Sequence, residues 1–201
     1  MSDTVAPRPI TLKPIVECSR AQQEAIRDIR NQPAIRAAMY SDHVIGEAEH
    51  FAWLERLRGD ERQLIFAVLD DTETPLGIVS VNAWDRRHKR SDWAFYLDAA
   101  ARGGLGAALE FFFLDFVFDT LGIEKLNCEV LETNPAVVAL HRNFGFAEEG
   151  FRRANVEKDG RRIGVHFLGL TREEWHAGRA GVAERFADKL ARFSIALAPA
   201  A

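Results

Sequence analysis

The chain has 201 residues, 47% of them apolar and 28% charged, the balance of an ordinary globular protein able to bury a core without disulfide or metal staples. With 26 Lys and Arg against 30 Asp and Glu the net charge is -4, which argues against a dedicated nucleic-acid binder. Cys18 and Cys128 lack metal-ligand spacing, and no apolar run reaches the roughly 18 residues that span a bilayer, so neither a metal site, a disulfide framework nor a membrane span is expected.

Residues 1–9 are polar and Pro-punctuated, with no signal-peptide core, and read as a disordered leader of a cytoplasmic protein. Alternating Ile10, Leu12 and Ile15 predict a first strand. Ser19 and Gln22 form a capping-box pattern for a helix that turns Ile26 and Ile29 inward, and Pro33 opens a shorter one. A third helix follows Gly46, with Phe51, Leu54 and Leu57 on one face. The runs 64–69, 76–84 and 92–97, joined by short polar links, predict an antiparallel meander. A glycine turn at Gly103, Gly104 and Gly106 opens a Phe-rich helix read as core. A strand over 125–131 leads to Asn134-Pro135, where Asn caps and Pro takes the first helical position. A hairpin turning at 158–160 follows. Val182, Phe186, Leu190 and Phe193 recur at helical spacing, predicting one amphipathic helix in the tail, packed on its own domain or on a second subunit of a homodimer. The whole reads as mixed α+β, helices covering a mostly antiparallel sheet.

The strand Trp93 to Leu97 followed by Ala101-Arg102-Gly103-Gly104-Leu105-Gly106 sets glycines and unpaired first-turn N–H groups where a pyrophosphate can bind. It is neither a dinucleotide-fold fingerprint nor a P-loop. About thirty residues on comes Asn134-Pro135 and, at the end of its helix, His141-Arg142-Asn143-Phe144-Gly145-Phe146. These two motifs at that distance resemble the GCN5-related N-acetyltransferases, over about residues 10–170, leaving 171–201 as a C-terminal helical tail. Ile29-Arg30, Ile35-Arg36 with Met39, Glu49-His50 with Trp53, 126–131 and 144–150 resemble, more narrowly, the acetyltransferases of pseudaminic acid synthesis, which act on the 4-amino group of a UDP-linked 4-amino-4,6-dideoxy sugar.

The resemblance implies acetyl-CoA as co-substrate, no metal, and direct transfer to an amine. Backbone groups of Phe95, Tyr96 and Leu97 would hold the pantetheine arm, and Arg102, Gly103, Gly104, Leu105, Gly106, Ala107 and Asn134 the rest of the donor. His141 stands where the family often has a catalytic Tyr and would protonate the departing thiolate, since imidazole can donate near neutral pH. Ala101 stands where the family usually has Gln or Arg. Ser80 would lie near the thioester, and Glu129 would act as base through water. Arg30, His50, Trp53, Asn82 and Trp84 would receive the nucleotide sugar, Arg as a phosphate fork and the aromatics as a stacking wall. The loop Arg86 to Arg90 reads as solvated or as an anion lure. Cys128 reads as inert. Two alternatives stay open: an acetyltransferase of protein N-termini or of a polyamine, the latter requiring an acidic cleft, and a non-catalytic acyl-CoA-binding module.

Overall fold

A computed structural model describes residues 6–101 and 103–199. Strand β1 (Arg8–Pro14) leads through a short 3-10 turn to helices α1 (Arg20–Arg30), α2 (Pro33–Ala37) and α3 (Glu47–Leu57). The meander β2 (Leu64–Leu69), β3 (Pro75–Asp85) and β4 (Arg90–Leu97) precedes α4 (Leu105–Asp115), which ends in a π-helical turn. Then come β5 (Lys125–Leu131), α5 (Pro135–Asn143), the hairpin β6 (Ala147–Lys158) and β7 (Arg161–Thr171), and finally α6 (Arg172–Arg185), α7 (Ala187–Leu190) and β8 (Phe193–Leu197).

The local signals act as expected. Ser19 and Gln22 complete a reciprocal capping box, and Ile26 and Ile29 are buried. Thr171 and Glu174 make a second box at the start of α6. The eight strands form one sheet in the order β6-β7-β5-β4-β3-β2-β1-β8. Its pairs are antiparallel except β4–β5 and β1–β8. One core layer lies between the sheet and α4, α5 and α6, centred on Leu109, Phe113 and Phe118. The other lies under α1 and α3, around Ile26, Leu54 and Ala67.

Both ends of the chain correct the sequence reading. β1 begins at Arg8, so the residues read as leader include the start of a paired strand, and Met1 to Val5 lie outside the described residues. The tail is not one helix: α6 stops at Phe186, α7 is a single turn, and Phe193 sits in a strand. β8 runs parallel to β1, with Ile195 opposite Ile10, and supplies neighbours that the edge of β1 would otherwise lack. The tail packs on its own domain. Trp175 and Phe186 are in the core, Trp175 Nε1 donates to Asp115 Oδ1 at 3.0 Å, and Arg179 grips both Asp115 oxygens at 2.7 Å.

Candidate active site

The site originates in a local failure of strand pairing. β4 and β5 run parallel and share partners only from Arg90↔Lys125 to Asp92↔Asn127. Beyond Asp92 they diverge, while β4 stays paired to β3 through Leu97. The edge of Trp93 to Leu97 therefore faces a cleft of about 500 Å³ instead of a neighbouring strand. Unpaired strand edges bind extended ligands by main-chain hydrogen bonds. Gly77 keeps this stretch of β4 in place, because a Cβ there would lie 2.0 Å from the Tyr96 carbonyl oxygen.

Phe95, Tyr96, Leu97, Gly104, Leu105, Gly106 and Asn134 all line the cleft, as their sequence context predicts. Gly104 caps α4 at φ 103°, a conformation that favours glycine, so the first-turn N–H groups open toward the cleft. The Asn134 side chain makes no capping hydrogen bond to α5. Ala107 instead points into the core, and Arg102 lies outside the described residues. The tail reaches this turn: Arg192 Nη1 donates to the Gly103 carbonyl at 3.3 Å, and the Lys189 side chain packs beside Gly104.

His141 lines the cleft from α5 but is only 3% exposed. Its Nδ1 lies 2.8 Å from Oε1 of Glu110, a carboxylate with no exposed surface in the middle of α4. Cys128 beside the ring also favours its charged form. Burial opposes charge on both partners, lowering the imidazole and raising the carboxyl. The facing Glu110 carboxylate outweighs burial for His141, whose pKa is held up to about 10. A proton is thus kept at the cleft wall throughout the neutral range. Trp93, Phe95 and Phe146 surround the ring and fix its plane.

Also lining the cleft, exposed Glu129 on β5 accepts a hydrogen bond from the Tyr40 hydroxyl, whose proton is retained by burial and by that bond. Tyr40 lies just beyond α2. The last carbonyls of that short helix are gathered by Lys158 Nζ, which donates to Arg36, Ala37 and Met39 at 2.6 to 3.0 Å. Lys158 is 6% exposed, unusual for a residue at a hairpin end.

The remaining sequence candidates are not brought here. Ser80 is buried against the strands, its hydroxyl donating to the Ala94 carbonyl at 3.1 Å and accepting from Asn82 at 2.9 Å. Asn82 and Trp84 line neither this cleft nor the neighbouring cavity, and Arg86 stacks on Trp84 at 4.0 Å. Arg30, His50 and Trp53 line that separate cavity, on the α1–α3 side of Tyr96. The basic loop is answered by acids, Lys89 meeting Glu124 and Arg90 meeting Asp85. Conversely, sequence reasoning passed over Glu110, Tyr40 and Lys158. A glutamate within the apolar run 105–118 was the available signal, since a buried carboxylate needs a partner.

A strand pair that opens onto a glycine turn and a helix N-terminus is the donor-binding arrangement of an acyltransferase. Residues 11–147 match the family model of the acetyltransferase (GNAT) domain, and the chain belongs to that family. It is an N-acetyltransferase of the GNAT type, with acetyl-CoA as co-substrate. The spermidine N-acetyltransferase from Vibrio cholerae, solved in complex with CoA and spermine, has the same fold: TM-score 0.77 and 21% identity over 83% of this chain and 98% of that one. The crystal structure of another acetyltransferase gives TM-score 0.70 and 21% identity, over 87% and 89% of the two chains.

Proposed function

We propose that this enzyme acetylates a primary amine of a small cationic acceptor of the polyamine class. One observation carries the choice: among the described residues lining the cleft, the charged or titratable groups are Asp98, Glu129 and His141 with the Tyr96 phenol and the Cys128 thiol, and none is Lys or Arg. Asp98 is engaged by Gln32 and by the Ala100 N–H, which leaves Glu129 to meet the acceptor. Unpaired acidic character where the acceptor enters favours an ammonium group. The spermidine acetyltransferase fold likeness supports the same acceptor class. The UDP-sugar reading loses support because Arg30, His50 and Trp53 line a different cavity, and Asn82 and Trp84 line neither.

When bound, the co-substrate supplies an acetyl thioester. The open edge of β4 and the α4 N-terminus bind and orient it, and preorganised donors are the strongest help available at a developing oxyanion. Glu129 draws in the amine and accepts its proton, with Tyr40 holding the carboxylate in place. His141 delivers a proton to the departing sulfur, kept charged by Glu110. Holding both substrates in one cleft adds the proximity contribution.

The test is CoA release from acetyl-CoA with spermidine, spermine, Ala- and Ser-starting peptides and a UDP-4-amino-4,6-dideoxy sugar. Turnover on the polyamines is expected, with Glu129→Gln raising KM for them. Turnover confined to the sugar or to peptides would overturn the acceptor, and CoA binding without turnover on any amine would favour the non-catalytic alternative.

A further inference from the structure

The turn that opens α4 contains a peptide with no side chain on either flank. Gly103 and Gly104 stand at φ 106° and 103°. A peptide between two glycines rotates at little steric cost, so its orientation has to be set from outside. The C-terminal tail reaches it, from beyond the stretch that matches the family model. Arg192 Nη1 donates to the Gly103 carbonyl at 3.3 Å. The Lys189 stem fills the space beside Gly104, its Cγ 3.0 Å from where a Cβ would stand. Arg192 is itself anchored where α7 gives way to β8. Its N–H donates to the Lys189 carbonyl at 3.3 Å, and its carbonyl accepts from the Arg8 N–H of β1 at 2.8 Å. The Gly103–Gly104 peptide is trans, so the Gly104 N–H points opposite to the carbonyl that Arg192 holds. Among the described residues that N–H meets no acceptor in the chain. Gly104 lines the cleft, whereas Lys189 and Arg192 do not.

We infer that Arg192 is a positioning residue for the donor: by holding the Gly103 carbonyl on the tail side, it fixes the Gly104 N–H toward the phosphates of acetyl-CoA. Lys189 braces the same turn with its methylene stem, and its charge takes no part. The arginine supplies the restriction that a Cβ would otherwise impose, so the phosphates meet an N–H already aimed and binding does not have to order the turn. The tail thus belongs to the donor site, acting through the turn and not by touching the donor. The inference rests on acetyl-CoA as co-substrate and is independent of the acceptor proposed above.

Calorimetric titration of the full-length protein with CoA tests it. Arg192→Ala frees the peptide and should weaken CoA binding about tenfold, the factor for one charge-assisted hydrogen bond. Arg192→Gln keeps an N–H donor without the charge and should recover most of that loss. Lys189→Met keeps the stem without the charge and should bind CoA as the unaltered protein does. Thermal unfolding followed by circular dichroism should be the same for all of them. Unchanged CoA affinity in Arg192→Ala would overturn the inference. So would equal losses in Arg192→Gln and Lys189→Met, which would mean that the cations meet the phosphates themselves. A loss in Arg192→Ala that follows a fall in melting temperature, and that Arg192→Gln does not recover, would assign Arg192 to tail docking alone and overturn it as well.

Discussion

The sheet contains two parallel contacts with opposite fates. β1 and β8 stay paired over all of β8, from Arg8↔Phe193 to Leu12↔Leu197, and close an edge. β4 and β5 pair over three residues and then part, and the gap is the active cleft. What differs is what fills the space beside each pair. β8 follows α6 and α7, with Trp175 and Phe186 already in the core, so pairing continues through Leu197. Where β4 leaves β5, the space stays open between Trp93, Phe95 and Tyr96 of β4, the N-terminal turn of α4, and Val137 and His141 of α5.

The comparison can be broken most strongly on its open side. His141→Ala removes the group proposed as proton donor and should lower kcat about 10²–10⁴-fold, measured at saturating acetyl-CoA. On the closed side, Trp175→Ala takes the anchor of the tail out of the core and should cost about 3–5 kcal/mol by the usual range for buried aromatics, read by denaturant unfolding. Weakened acetyl-CoA binding in that folded variant would show that the tail also steadies the phosphate turn. Lys158→Met leaves the end of α2 without its clamp. A loss of about 1–3 kcal/mol is expected, together with a raised KM for the acceptor as Tyr40 and Glu129 lose their fixed wall. A pH slope is also expected. His141 titrates near 6.5 when unfolded and about 10 when folded, so its contribution is whole below 6.5 and lost as pH rises through 10. Unfolding free energy should therefore fall between those values, and Glu110→Gln should flatten the fall.

The elements were legible where the controlling forces are local. Ser19 with Gln22, Pro135 at the first turn of α5, the run 125–131 and the turn at 158–160 each read correctly because a cap, a fixed φ or a two-residue period needs only near neighbours, whereas the Asn134 side chain does not cap. The donor half of the site was legible for the same reason, as glycines ahead of a helix announce their backbone geometry in sequence. The acceptor half was not. Arg30, His50 and Trp53 do come together, as expected, but behind Tyr96, while Tyr40 and Glu129 meet across 89 positions with nothing in either segment pointing to the other.

By itself the sequence determined the helices up to α5, most strands, the glycine turn before α4 and the presence of an ionisable group at position 141. Tertiary structure alone decided that His141 keeps its proton, because that depends on a carboxylate 31 positions away in a helix of phenylalanines. It also decided that Phe193 lies in a strand, since a residue spacing reports that a side chain is buried and not which partner buries it. Propensity and capping act within a turn or two of chain, whereas pairing, desolvation and charge coupling depend on neighbours that only the folded chain brings into contact.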